Sequence, residues 1–116
     1  MHYNYYMNFR NYRKLAFIVL ALLSLFIPSF ISKNPFIISG LLILVTIGMF
    51  YLKLELQILK IYILAFFLGP LAEIIAIHQG LWIYGAPAFF GIPLWLPLEW
   101  GIATLFILGL YTSKTA

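Results

Sequence analysis

The chain has no cysteine and very little charge: three acidic residues and seven lysines and arginines among 116 residues, or 9% charged in all. The lack of cysteine excludes disulfides, thiolate metal sites and cysteine nucleophiles, and leaves the redox compartment open. The shortage of charge excludes more. A soluble domain carries about 25% charged residues, so this chain cannot cover its surface with polar groups in water. With 65% apolar residues and a mean hydropathy of +1.05, its natural solvent is a bilayer. Glycine-rich phosphate loops, an HExxH pair and a Ser-His-Asp ordering are all missing. The basic residues stand singly or in one small cluster at the ends of apolar runs, with no concentrated basic face, so nucleic acid is excluded as a partner.

What is present is a series of apolar runs. A membrane-crossing helix needs about 20 mainly apolar residues, and four such spans fit, at 15–32, 36–52, 61–79 and 92–111. They define a single polytopic domain: an all-α, four-helix antiparallel membrane bundle without a soluble catalytic module. The first run is too long for the apolar part of a signal peptide and no small-x-small cleavage site follows, so it reads as an uncleaved span. Pro28 marks its frayed end or a kink, by removing a donor and colliding with the Ser24 carbonyl. Before it, residues 1–14 form an aromatic interfacial segment (Tyr3, Tyr5, Tyr6, Phe9, Tyr12), in which His2 has no partner nearby in sequence. Pro35 suits the first position of the second helix, on which Gly40 and Gly48 share a face and allow close packing. Lys53, Glu55, Gln57 and Lys60 make a charged connection, with Lys53 and Glu55 too close in sequence to pair across a helical turn. Gly69-Pro70 breaks the third span. Six basic residues (Arg10, Arg13, Lys14, Lys53, Lys60, Lys114) fall on the side of the termini against Lys33 alone opposite, which puts both termini in the cytoplasm of a cytoplasmic-membrane protein.

Chemistry concentrates between Gly69 and Thr104, which holds two of the three acids, one of the two histidines, all three tryptophans and four of the six prolines. Residues 80–91 carry four aromatics and three glycines without a charge, and read as an irregular aromatic lid between helices 3 and 4, re-entrant or lying in the interface. Counted from that lid, Glu73 and Glu99 both lie roughly 10 Å deep at 1.5 Å per residue. A charge at that depth costs about 2.5–3.5 kcal/mol or more, so each carboxyl faces the bundle interior, pairs, or holds its proton. Glu73 and Glu99 are therefore the candidate acids; the bland alternative is that each only hydrogen-bonds a freed carbonyl or an indole. His78, about 140° around the helix from Glu73, is a candidate relay or an interfacial anchor. Trp82, Tyr84, Trp95 and Trp100 are candidate wall residues, and Trp100 needs a buried acceptor for its indole, for which Glu73 and Glu99 are available. No metal site is expected, because three convergent ligands would be needed, and no cofactor is implied.

The run Glu73, Gly80, Tyr84, Gly91-Ile92-Pro93, Pro97 and Trp100 resembles the membrane-embedded hydratases of carotenoid biosynthesis, in which an intramembrane acid precedes a glycine-tyrosine loop and a Gly-Val/Ile-Pro-x-x-x-Pro-x-x-Trp helix start. Pro97-Leu98-Glu99 is similar to the Pro-x-Glu motif of the small heterodimeric lycopene cyclases. The resemblance covers about a third of the chain, and the hydratases are longer, with more helices. It implies an apolar isoprenoid substrate protonated or hydrated at a double bond by Glu73 or Glu99, in a slot shaped by Trp82, Tyr84, Trp95 and Trp100. Two other readings stay open beside it: a non-catalytic accessory subunit of a larger membrane complex, and a small homo-oligomeric transporter or proton path using the same glutamates. Membrane lipid surrounds the chain under all three.

Overall fold

The computed structural model describes residues 12–53, 55–85 and 87–112, and its architecture follows from where polar groups and prolines interrupt apolar sequence. Four helices result: α1 (Lys14–Phe26), α2 (Pro35–Leu52), α3 (Leu56–His78) and α4 (Leu96–Thr112). The described residues contain no strand beyond one isolated bridge between Phe89 and Ile92. The amino-terminal segment with His2, Tyr3, Tyr5, Tyr6, Phe9 and Arg10, and Lys114 near the other end, lie outside the described residues.

At Pro28 the regular α-helix of the first span gives way. A proline cannot donate to the carbonyl four residues back, and here the chain widens into a π-helical turn over Ile27–Ile31, closed by Ser32 N–H to Ile27 O at 3.2 Å. The second helix begins where the sequence predicts. The Asn34 side chain accepts from the Phe36 and Ile37 amides at 2.8 and 3.3 Å, and Pro35 occupies the first turn, where its missing N–H is not needed.

The third helix departs from expectation at both of its features. It starts at Leu56 rather than Ile61 and so absorbs Gln57 and Lys60. In the shorter connection Lys53 and Glu55 do pair, at 2.8 Å, outside a helix, where the helical spacing rule does not apply. Nor does Gly69-Pro70 break the helix, which runs unbroken through Pro70. The fourth span enters as non-helical chain, as Pro93 and Pro97 imply, with Ile92 held in the bridge to Phe89 and regular helix from Leu96. Phe90 (φ 50°) and Gly91 (φ 88°) both adopt the left-handed region in the turn that closes this bridge. That geometry suits a two-residue hairpin turn and strains Phe90.

Each helix buries a narrow stripe at helical spacing: Phe17, Ala21, Ser24 and Ile27 on α1 and its continuation, and Ile38, Leu42, Val45 and Met49 on α2. Tyr62 on α3 meets Ile102 and Leu105 of α4 in the same core. Helix α4 is central, since it packs on α1, α2 and, most extensively, α3. Three aromatic rings set its closeness. A Cβ added at Gly69 would lie 2.1 Å from the Trp100 ring, at Gly101 2.5 Å from Tyr62, and at Gly109 2.4 Å from Phe17. Rings therefore lie directly on bare backbone. Of the two α2 glycines singled out by sequence, a Cβ added at Gly48 would lie 3.1 Å from Leu20, and Gly40 faces open space.

Outside these stripes the helices expose leucine, isoleucine and phenylalanine, including Leu15, Leu44, Leu64 and Ile107. Lys14–Ile31, Pro35–Leu52 and Leu56–His78 are long and apolar enough to cross a membrane, while α4 is a shorter apolar helix.

Candidate functional site

Helix neighbours Glu99 and Trp100 diverge by about 100° around α4, and this divergence builds the site. Trp100 faces α3. Its indole lies across Gly69, and because Gly69 and Glu73 are one turn apart on the same face, the ring's N–H reaches Glu73 Oε2 at 2.5 Å. The other oxygen, Oε1, accepts from the Tyr84 hydroxyl of the irregular segment. Both oxygens of Glu73 are thus occupied, one by α4 and one by the segment between α3 and α4. Burial first, and then the Glu73 hydrogen bond and negative charge, push the Tyr84 phenol above its ordinary value, so it stays a donor.

Glu99 faces α1 instead. Its Oε1 lies 3.0 Å from Ser24 Oγ, and the same hydroxyl lies 2.6 Å from the Ala21 carbonyl. Glu99 Oε2 is buried and has no hydrogen-bond partner among the described residues. Leaving a buried polar atom unpaired costs about 1–3 kcal/mol, and the surroundings offer no relief. Ala21, Leu22, Leu25, Ile102, Phe106 and Ile107 line the hollow of about 220 Å³ that Ser24 and Glu99 border. A second hollow of about 240 Å³ is bordered by both glutamates together with Leu25, Leu96, Trp100 and Ala103. The two hollows share Leu25, Glu99 and Ala103, so Glu99 stands at their junction.

The two glutamates thus border one hollow, but each is held by its own partners, and no hydrogen bond joins them among the described residues. Tyr84 and Trp100 converge on Glu73. The other candidates stand apart. His78 is exposed in the last turn of α3 and Trp82 is 44% exposed in the irregular segment. Trp95 packs against the core and lines a separate hollow of about 120 Å³ with Tyr84, Pro28 and Lys33. Among the described residues no three histidine or acidic side chains gather where they could hold a metal ion.

Sequence reasoning did not select Ser24. Its signal is faint but real, since it is the single hydroxyl on the Phe17–Ala21–Ile27 stripe of α1, and a polar group on a buried face needs a partner. Arg13 was assigned only a topological role. Its guanidinium donates to the Tyr51 and Leu52 carbonyls at 3.3 Å, tying the start of α1 to the end of α2. Comparison of the chain with known protein families, curated proteins and solved structures gave no match.

Proposed function

We propose that this is a multi-pass protein of the cytoplasmic membrane, its four helices crossing antiparallel with both termini inside, that acts on an isoprenoid-type lipid through Glu99 as a carboxylic acid. Three helices of spanning length and the leucine, isoleucine and phenylalanine side chains exposed around them support the membrane reading. The excess of basic residues on one side supports the orientation.

The observation that carries the chemical reading is that Glu99, which lines an apolar hollow, has a buried oxygen, Oε2, without a hydrogen-bond partner among the described residues. A carboxylate buried in oil without a partner is expensive, whereas the neutral acid is tolerated. A neutral acid with no hydrogen-bond acceptor is poised to give its proton to the π electrons of a double bond. In that step the π pair forms a new C–H bond with the Oε2 proton and leaves a carbocation on the adjacent carbon. The Glu99 carboxylate then removes a proton from a neighbouring carbon, which shifts the double bond and restores the acid with no co-reactant consumed. Phe106 in one hollow and Trp100 in the other offer ring faces that attract such a cation. Glu73, with both oxygens occupied, holds the irregular segment and Trp100 in place rather than acting as the acid.

A second reading, a non-catalytic subunit of a larger membrane complex, is favoured by the breadth of exposed apolar surface on a chain this small. Feeding isoprenoid lipids to cells that produce the wild type or Glu99→Gln separates the two. The enzyme reading predicts conversion by the wild type and a loss of about 10²-fold or more in the variant, the scale of a general acid. Identical lipid profiles, together with co-purification of a larger membrane protein in fixed ratio, would establish the subunit reading instead.

A further inference from the structure

We infer that Ser24 is a positioning residue that fixes which oxygen of Glu99 carries the acid proton, an inference that rests on the reading of Glu99 as a neutral acid. A carboxylic acid attached by a flexible side chain can turn over and exchange its two oxygens. Only one orientation presents a proton to a ligand. Something must hold the group, and the walls of the hollow of about 220 Å³ around Glu99 are hydrocarbon on every side but one.

That one side is Ser24. It is 1% exposed, and its Oγ sits 2.6 Å from the carbonyl of Ala21, three residues back on its own helix. Back-bonding of this kind takes the hydroxyl out of free rotation. From the fixed position the same Oγ meets Glu99 Oε1 at 3.0 Å. A serine hydroxyl has one proton, which it shares between the carbonyl of Ala21 and Oε1. Oε1 becomes the accepting, carbonyl-type oxygen, and the acid proton is left on Oε2, the atom with no partner among the described residues. The backbone of α1 thus sets the direction of Glu99 through one hydroxyl. Ala21 and Ser24 lie on the same buried stripe of α1, so the arrangement needs no moving part.

Infrared difference spectroscopy of the full chain in lipid vesicles tests this without any substrate. The C=O stretch of the protonated Glu99 carboxyl is identified as the band absent from Glu99→Gln. Ser24→Ala removes the hydrogen bond to Oε1 and is expected to move that band to higher frequency and broaden it, as the carboxyl loses its fixed orientation. Ser24→Cys keeps a side chain of similar size with a weaker S–H donor, and is expected to give a smaller shift in the same direction. This second variant covers the case in which alanine loosens the helix contact. A band that stays in place in both variants overturns the role of Ser24 while leaving the acid reading standing. A wild type with no band that Glu99→Gln removes overturns the acid reading and this inference with it.

Discussion

Replacing Gly69 by alanine attacks the contact on which the site is built. The new methyl carbon would stand 2.1 Å from Cδ2, 2.4 Å from Cγ and 2.5 Å from Cε3 of Trp100. These atoms belong to the root and body of the ring, not to a flexible tip, so the indole as a whole must move. Overpacking of this kind costs about 1–3 kcal/mol. Displacing the ring also removes its N–H from Glu73 Oε2, and leaving a buried acceptor without its donor costs about 1–3 kcal/mol. Alanine returns about 1 kcal/mol through its better helix propensity. The net expectation is a loss of about 1–5 kcal/mol in α3–α4 association. Unfolding in mixed micelles measures the loss, and Trp100 fluorescence in a background with Trp82 and Trp95 replaced by phenylalanine reports the ring's displacement. Gly40→Ala is the control, because nothing lies within 4 Å of a Cβ there; it should leave stability unchanged or slightly raised. Wild-type stability and emission in Gly69→Ala would refute the reasoning.

Tyr84→Phe leaves one oxygen of Glu73 without its donor, and is expected to cost about 1–3 kcal/mol and to speed amide hydrogen exchange in residues 79–95 ahead of the helices; exchange that rises equally everywhere would count against a local latch. Asn34→Ala removes the cap on the Phe36 and Ile37 amides and should lower stability by about 1 kcal/mol, with faster exchange confined to the first turn of α2. Because the chain has no cysteine of its own, Lys33→Cys and Lys60→Cys can be labelled without background. An impermeant thiol reagent should reach position 33 in intact cells and position 60 only after the membrane is opened, and the reverse pattern would invert the orientation.

Fold and site were legible in the sequence to different depths. Four apolar runs gave four helices, Pro35 marked the start of α2 and Pro28 the point where α1 gives way to a π turn, because these signals act within one turn of the chain. Pro70 was misjudged: a proline removes one hydrogen bond, but a helix held on its neighbours by packing absorbs the loss without interruption. The acceptor for Trp100 was narrowed to two glutamates by the need to satisfy a buried indole. The choice of Glu73 depended on Gly69 leaving room for the ring, a tertiary fact. Depth alone put the two acids at one level. It could not say that Trp100, rather than Glu99, would face α3, and so it did not foresee that Glu73 is held by Trp100 and Tyr84 while Glu99 turns to Ser24.

The central claim is that Glu99 delivers a proton to carbon, and isotope incorporation tests it most directly. Purified chain in vesicles made up in D₂O, and supplied with an isoprenoid lipid, should place up to one deuterium on carbon per turnover in the product as the Glu99 acid exchanges with D₂O between turnovers, and Glu99→Gln should place none while Glu73→Gln retains incorporation. Lipid recovered without deuterium from the wild type, or with equal deuterium from the wild type and Glu99→Gln, would contradict the account.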